Sequence, residues 1–294
     1  MTAALKLSAA EAPAFATDVD AWFAEVGSAL RERKLAPYLG PGLIAHAPDV
    51  GVPTSYEGLA GFFAKNVALP KRARGNPWAS AQYVESRQHR ATVMKWMAAA
   101  FAPNVAPLPF HRHLAALELP LIVDTWYDSA LRNAFEGRSG WLEIQGMDRA
   151  KIGEERWFRA YDPAGNVAPI EAADSVKTLL YKPHGSVTPV GNFLVSDADY
   201  VEVLTEIDIQ TPIPEAVRVR RAELGFVFLG CRFHDQLLRT YARQVVKRSR
   251  GPYYAVFESA EITRMERQLL RELGIQAVVC PLPEALDRLQ ALSS

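Results

Sequence analysis

Residues 119–135, LPLIVDTWYDSALRNAF, constrain the fold more than any other part of the sequence. They begin with a continuous apolar run, which is typical of a strand buried on both faces of a parallel sheet. The run turns polar at Asp124 and Thr125 and then continues in a helical pattern. Since open parallel sheets bind ligands at the carboxyl ends of their strands, this segment predicts a strand that carries polar residues to a binding edge.

Strand-like and helix-like patterns alternate along the rest of the chain. Strands are predicted within KLAPYLGPGL, LPLIVDT, WFRAY, KTLLYKPHGS, NFLVS, GFVFLGCRF, YYAVFE and IQAVVC. Helices are predicted at 18–33, near 56–66, 78–88, 91–101 and 110–117, within SALRNAF, DADYVEVLTE, IPEAVRVRRAEL and HDQLLRTYARQVVKR, and at 260–272 and 283–291. The alternation predicts one α/β domain over residues 1–294, with an open, mostly parallel sheet, helices on both faces and a helical cap at about 52–118.

The composition argues against several classes of function. The 33 basic residues balance 33 acidic ones, so charge gives no reason to expect binding to nucleic acid or to a membrane surface. Cys231 and Cys280 form neither a disulfide framework nor a zinc pattern. No apolar run reaches the roughly 18 residues of a membrane span, and the N-terminus lacks the pattern of a signal peptide. We therefore expect a cytoplasmic protein without a nucleic-acid or membrane partner.

Four predicted strand exits carry glycines or polar residues, namely LGPGLIA (39–45), DTWYD (124–128), KPHGS (182–186) and FLGCRFHD (228–235). Each motif alone is weak evidence for a binding site. A glycine pair after a strand usually forms a tight turn, and a tryptophan at a strand end usually packs in the core. GPGLIA fits the dinucleotide fingerprint only formally, since Pro48 stops a long helix and no acidic strand end follows about 20 residues later. Four such exits on one sheet favour a large cofactor.

Six segments in this order resemble the sirtuin-like domain of bacterial proteins, over roughly residues 30–290. They are YLGPGL, GVPTSYEGLAGFF, PFHRHLAALELPLIVDTWYDSAL, YKPHGSV, FLVSDADYVEVL and FVFLGCRFHDQLLR. The resemblance implies a Rossmann-like sheet of the type that NAD- and FAD-binding domains share. Active members of the family cleave NAD and release nicotinamide, with an Asn after the second strand and a His in an HGS motif.

The sequence departs from this pattern at three positions. Trp126 stands at the position of the family's Asn, Ile44 replaces a small alcohol side chain and Arg232 replaces a serine, whereas His184 is retained. An indole has one donor and no acceptor, so it cannot replace the Asn, and it would fill the space of nicotinamide and ribose. We therefore predict that NAD hydrolysis is lost while the cofactor cleft remains.

FAD is the other large dinucleotide that this fold type accepts, and we predict it as the cofactor. Glycines after the first strand would let the backbone approach a pyrophosphate, and Trp126 and Tyr127 would stack on a flat ring. Arg232 would neutralise a phosphate oxygen, or alternatively form a surface ion pair. The predicted cofactor-binding residues are Gly40, Pro41, Gly42, Leu43, Thr125, Trp126, Tyr127, Asp128, His184, Gly185, Gly230, Cys231 and Arg232.

The histidines suggest a second cofactor. Imidazole is the usual axial ligand of haem b, and the absence of a C-x-x-C-H motif excludes covalent c-type attachment. His46 follows the glycines, His89 lies in the predicted cap and His113 on the next helix, whereas His111 is expected to be structural. We predict that one or two of the first three ligate haem iron, with His89 as first choice, although a lone histidine is more often solvated or satisfied by its neighbours.

In length, in its lack of a fused effector domain and in its altered hydrolase motif, the chain is similar to the stand-alone flavocytochrome branch associated with iron-only nitrogenase. This similarity implies an oxidase linked to nitrogen fixation, in which electrons pass from a ferredoxin or flavodoxin to FAD, then to haem and oxygen. A homodimer is also expected. Two alternatives stay open: a sirtuin-like NAD hydrolase of a bacterial defence system, and a sensor that binds NAD or ADP-ribose without turnover.

Overall fold

A computed structural model of the chain describes residues 15–147, 157–206 and 212–294. The strands of this part are β1 (Leu35–Leu39), β2 (Leu121–Asp124), β3 (Trp141–Gly146), β4 (Phe158–Tyr161), β5 (Val167–Ala168), β6 (Thr178–Lys182), β7 (Gly185–Ser186), β8 (Asn192–Phe193), β9 (Gly225–Leu229), β10 (Tyr253–Phe257) and β11 (Ile275–Val279). The α-helices are α1 (Val19–Arg31), α2 (Tyr56–Asn66), α3 (Pro77–Gln88), α4 (Arg90–Phe101), α5 (Pro109–Ala116), α6 (Ala130–Ala134), α7 (Asp197–Glu206), α8 (Glu215–Ala222), α9 (Gln236–Val246), α10 (Arg264–Leu273) and α11 (Leu282–Ser293). Short 3-10 helices cover Pro41–His46, Lys71–Ala73 and Ile170–Ser175.

The central sheet has the order β11-β10-β9-β1-β2-β6-β3-β4-β5, and β7 pairs separately with β8. Every pair from β11 through to β3 is parallel, whereas β4 pairs antiparallel with both β3 and β5 at one edge. The predicted open, mostly parallel sheet with helices on both faces is therefore confirmed. Its carboxyl edge gathers the exits of β1, β2, β6 and β9, which were predicted to share one edge.

Helices cover both faces of the sheet because its central strands carry apolar side chains on both faces. In β1, Leu35 and Leu39 belong to the hydrophobic cluster under α1, α5 and α11, whereas Ala36 and Tyr38 belong to the cluster under α2, α3, α4 and α9. This alternation follows from the two-residue period of a strand. The clusters are the two hydrophobic cores of a three-layer α/β fold.

The segment predicted as a cap divides between these two faces. Helices α2, α3 and α4 contact one another, and their buried side chains join the cluster that also contains Trp126. Helix α5 instead contacts α6 and α11, and Phe110 and Leu114 belong to the opposite cluster. Of the helices in the predicted cap segment, α2, α3 and α4 therefore lie on the same face of the sheet as α9, whereas α5 lies on the other face.

Strand β3 was not predicted from the sequence. Its residues Glu143 and Gln145 are fully buried, which is unusual for these side chains. Arg132, from α6, lies 2.9 Å from a carboxylate oxygen of Glu143, and the Gln145 side-chain amide donates to the Thr188 carbonyl oxygen at 2.6 Å. The buried Glu143 carboxylate and the Gln145 amide N–H of this strand thus have partners on other segments, whereas the Gln145 side-chain oxygen has no hydrogen-bond partner among the described residues. None of the helices in the described ranges combines the length and the hydropathy that a membrane-crossing segment needs.

Candidate functional site

A cleft of about 390 Å³ opens at the carboxyl ends of β1, β9 and β10. This is the place where open α/β sheets hold their ligands. The residues that line it are Pro41, Gly42 and Ala45 after β1, Thr54, Ser55, Tyr56 and Glu57 at the start of α2, Gly230, Cys231, Arg232 and His234 after β9, Val256, Phe257, Glu258 and Ser259 at the end of β10, and Leu282 at the start of α11. Of the predicted cofactor-binding residues, Pro41, Gly42, Gly230, Cys231 and Arg232 are therefore brought together at one cleft.

The glycines after β1 and β9 bring the two strand exits into contact. The Gly40 N–H donates to the Leu229 carbonyl oxygen at 2.9 Å, and the Gly42 N–H donates to the Gly230 carbonyl oxygen at 3.0 Å. Gly230 has a φ of +65°, and a Cβ atom there would lie 2.5 Å from the Leu43 nitrogen. A Cβ atom at Gly42 would lie 3.0 Å from the Gly230 carbonyl oxygen. The glycines at 42 and 230 are therefore required for the packing of the two strand exits. This holds whether or not they also let a ligand approach the backbone.

Arg232 lines the cleft but already has an anionic partner. Its Nε lies 3.0 Å from Oε1 of Glu266 and its Nη2 lies 3.2 Å from Oε2. The fully buried Glu266 also accepts hydrogen bonds from the N–H groups of Phe233 and Thr263, at 3.0 and 2.8 Å. Burial works to raise the pKa of Glu266, but the hydrogen bonds from Arg232 and these N–H groups outweigh burial and lower the pKa. The ion-pair alternative for Arg232 is thus what the structure shows, and its half-exposed guanidinium also faces the cleft.

Trp126 is buried and does not line the cleft. The indole is only 1% exposed, and its N–H donates to the Pro53 carbonyl oxygen at 2.8 Å. Its ring lies 5.3 Å from the ring of Tyr56 and 5.6 Å from that of Phe101. Tyr127 is buried as well, and its hydroxyl donates to the Leu194 carbonyl oxygen at 2.8 Å. The two aromatic residues predicted to stack on a ligand are therefore enclosed by protein side chains.

The polar residues at the exit of β2 surround a buried lysine that sequence reasoning missed. Lys182 Nζ lies 2.5 Å from Oδ2 of Asp124 and donates to the Asp128 carbonyl oxygen at 3.0 Å. The Asp128 carboxylate accepts from the Ala130 N–H at 2.8 Å, and burial, together with Asp124, raises the pKa of Asp128 to about 6. The Thr125 hydroxyl donates to the Leu39 carbonyl oxygen at 2.8 Å. Thr125 and Asp128 therefore hold the strand exits together.

His184 lies deeper in the same region. It is 2% exposed, its Nδ1 is 3.2 Å from the Thr125 carbonyl oxygen, and burial lowers its pKa to about 4, so that the imidazole is neutral near pH 7. Its Nε2 is buried and has no hydrogen-bond partner among the described residues, and the ring of Tyr200 lies 5.0 Å away. Gly185 follows with a φ of +79°, and a Cβ atom there would collide with Asn192.

The three predicted haem ligands lie at three separate places. His46 is exposed at the end of its 3-10 helix, with Nε2 3.7 Å from a carboxylate oxygen of Glu258. His89 is exposed at the junction of α3 and α4. His113 lies on the opposite face, where its Nε2 is 2.7 Å from the Ser293 hydroxyl. His111, predicted to be structural, is buried and accepts the Leu108 N–H at 3.1 Å, which confirms that prediction.

These positions do not fit a haem site. None of the three histidines lines the cleft, and two of them are exposed rather than set in an apolar pocket. Haem iron needs only one or two axial side chains, and neither exposed histidine has, among the described residues, an apolar wall around it that could hold a porphyrin. The described residues therefore give no support to the haem prediction.

Sequence reasoning missed the cleft residues outside the four motifs. Glu258 is the last residue of the predicted strand YYAVFE and Ser259 follows it, so the rule that ligands sit at strand exits could have found them. Tyr56 and Glu57 begin α2, and no local pattern indicates that this helix end lies over the exits of β9 and β10. His234 lies 3.7 Å from a carboxylate oxygen of Glu57 across the cleft.

The comparison with protein families agrees with the mostly parallel α/β sheet described above. The model described as the SIR2-like domain matches residues 120–278. The match contains Trp126, His184 and the cleft segments after β9 and β10, but not the glycines after β1. It concerns the domain alone and does not distinguish the flavocytochrome branch from other members. A comparison with curated proteins gives no match.

Proposed function

Because the chain belongs to the family of the SIR2-like domain, we propose that it binds the ADP part of an adenine dinucleotide in the cleft and does not hydrolyse NAD. The observation that carries this proposal is the separation of an open cleft at the exits of β1, β9 and β10 from a buried Trp126. The indole occupies the position of the Asn that active relatives use. The cleft therefore retains room for a nucleotide, while the residue needed for hydrolysis is replaced.

The cleft suits a nucleotide in size and in chemistry. Its volume of about 390 Å³ lies within the range of small-molecule sites. The first turn of α2 lines it, and the positive end of the helix dipole there favours an anion such as pyrophosphate, although the Gly58 N–H already donates to the Ser55 hydroxyl at 3.0 Å. The carboxylate of Glu258, on a side chain that is 59% exposed, can accept hydrogen bonds from ribose hydroxyls. The exposed half of Arg232 supplies a positive charge.

FAD is the first candidate for the bound dinucleotide, and NAD is the alternative. When bound, FAD would supply one- and two-electron transfer. The chain's own residues would hold the ADP part, orient it through the α2 terminus and the exits of β9 and β10, and leave the second half of the dinucleotide at the open mouth. A ferredoxin or flavodoxin donor, oxygen as acceptor, a link to nitrogen fixation and a homodimer stay predictions.

A sensor that binds NAD or ADP-ribose is the second candidate function. The observation that favours it is again that the cleft is open while Trp126 is buried. The cleft residues would recognise the ADP part that FAD, NAD and ADP-ribose share. Such a sensor would hold its ligand without turnover and signal through a partner. Haem is not part of either proposal, because none of His46, His89 and His113 lines the cleft.

The bound nucleotide distinguishes these possibilities. The purified protein is denatured, the released nucleotide is identified by chromatography, and the absorption spectrum is recorded beforehand. A yellow protein that releases FAD supports the flavoprotein, whereas a colourless protein that binds added NAD or ADP-ribose supports the sensor. A protein that neither carries nor binds any adenine nucleotide contradicts the proposal.

A matched pair of variants locates the site. Ala45 is exposed and lines the cleft, whereas Ala91 is exposed on α4 and does not line it. Ala45→Trp should fill the cleft and weaken nucleotide binding by about tenfold or more, while Ala91→Trp should leave the affinity unchanged. Equal affinities of the two variants would place the nucleotide elsewhere.

A further inference from the structure

Acidic side chains outnumber basic ones in the cleft. Of the described residues that line it, Arg232 alone carries a fixed positive charge and is paired with Glu266, whereas Glu57 and Glu258 are both acidic and more than half exposed. We infer that this imbalance selects an esterified pyrophosphate, as in FAD, NAD or ADP-ribose, over a nucleotide with a terminal phosphate, and that Glu57 determines the selection. The inference rests on the proposed nucleotide binding and adds the selectivity of that site.

Glu57 borders the position proposed for the pyrophosphate. It belongs to the first turn of α2, the helix end that favours an anion. Across the cleft, its Oε1 lies 3.7 Å from Nε2 of His234, which follows β9. The hydrogen bonds to Glu266 raise the pKa of the Arg232 guanidinium, and the negative charges of Glu266 and Glu57 raise it further. The Glu57 carboxylate therefore faces the same two side chains that would meet the phosphates of a ligand.

Glu258 places a second carboxylate on another wall of the cleft. It follows β10, and its Oε1 lies 3.7 Å from Nε2 of His46 and accepts the Leu282 N–H at 3.5 Å. Histidine side chains are in general uncharged at pH 8, so at that pH an imidazole neighbour does not cancel the charge of a carboxylate. The cleft thus offers an anion one arginine, already paired, and opposes it with two carboxylates.

Ligands that share the ADP part differ in negative charge. A phosphate esterified on both sides has a single negative charge, whereas a terminal phosphate has a charge of about −1.5 to −2 at pH 7. ADP is therefore more negative than ADP-ribose by about one charge, and ATP by about two. Since like charges repel one another, each added charge should weaken binding next to Glu57. ADP-ribose should thus bind more tightly than ADP, and ADP more tightly than ATP.

Isothermal titration with ADP-ribose, ADP and ATP tests this inference. The titrations are made at pH 8 and without divalent cations, because these cations would neutralise the phosphates. If the purified protein carries a nucleotide, the three affinities are measured by displacement of that nucleotide. Wild-type protein should bind ADP-ribose about tenfold more tightly than ATP, with ADP between the two.

The test variant is Glu57→Gln, which removes the charge and keeps the shape of the side chain. The control is Glu215→Gln. Glu215 lies in the first turn of α8, its side chain is 68% exposed against 66% for Glu57, and it pairs with Arg218, but it does not line the cleft. Both variants lose a favourable charge at the start of a helix, so the control accounts for that loss. Circular dichroism establishes that each variant is folded before titration.

The expected result is that Glu57→Gln strengthens ATP binding by about tenfold and ADP-ribose binding by no more than about threefold, while Glu215→Gln leaves all three affinities unchanged. If the wild type binds ATP as tightly as ADP-ribose, or if Glu57→Gln changes the three affinities equally or not at all, the inference is wrong although nucleotide binding stands. If the wild type carries no adenine nucleotide and binds none of the three ligands, both the proposed function and the inference are overturned.

Discussion

Side chains at the strand exits divide into those that face the cleft and those that hold the exits together. The sequence identified most of these positions, because a polar residue after an apolar run is visible in one dimension. It did not show their environments. Trp126 was predicted to meet a ligand, yet Pro53, Tyr56 and Phe101 enclose it, and all three come from the α2–α4 region. Burial of this kind depends on partners that are distant in the sequence.

Lys182, at the end of β6, is the partner on which the buried Asp124 at the end of β2 depends. Its ammonium group is 1% exposed and pairs with Asp124, so Lys182→Ala would leave a buried carboxylate without its cation. We expect the variant to lose about 3–5 kcal/mol of unfolding free energy in urea titrations.

The matched control for that experiment is Lys177→Ala. Lys177 pairs with Glu118 at 2.7 Å, but its side chain is 63% exposed, so its loss should cost no more than about 1 kcal/mol. If both variants lost the same small amount, the buried pair would not be important for stability.

At the scale of elements, periodicity predicted the helices and the apolar strands well. It failed for β3, because Glu143 and Gln145 obscure the pattern of a buried strand, and their contacts with Arg132 and Thr188 form only in the folded chain. The face that each helix covers was not visible either, since nothing local indicates that α5, which carries His113, packs on the opposite face of the sheet from α2, α3 and α4. The element types could thus be predicted, but the face that each helix covers could not.

The contact between the exits of β1 and β9 gives a prediction at this scale. Gly230 and Gly274 both have positive φ values, +65° and +63°, but only Gly230 has neighbours that a Cβ atom would meet. Gly274→Ala should lower the free energy of unfolding by about 1 kcal/mol, because alanine is strained in this backbone conformation. Gly230→Ala should cost at least about 2 kcal/mol more, because the backbone at Leu43 must move.

Unfolding free energies from urea titration, together with nucleotide affinity, check this prediction. Gly230→Ala should also weaken nucleotide binding, because the displaced segment carries the cleft residues Pro41 and Gly42. Equal stability losses at the two positions would show that the strand exits are not tightly packed.

At the scale of the whole molecule, the fold could be predicted because strand–helix alternation and fully apolar strands permit few architectures. The match to the SIR2-like domain over residues 120–278 agrees with that architecture. The cofactor could not be derived in the same way, since one fold hosts many functions and the cleft is assembled from four distant segments. The described structure gathers the exits of β1, β9 and β10 and the start of α2 into one cleft, with Trp126 closed off behind Tyr56.

The central claim is that this cleft holds an adenine dinucleotide without cleaving NAD, and the most direct test is the rate of nicotinamide release. Purified protein is incubated with NAD, and free nicotinamide is measured by chromatography over time, with Ala45→Trp as the cleft-filled control. We predict no release above that of NAD alone, because Trp126 can neither accept a hydrogen bond nor leave space at the reacting bond. Release at roughly 1 per second or faster, abolished by Ala45→Trp, would contradict the account.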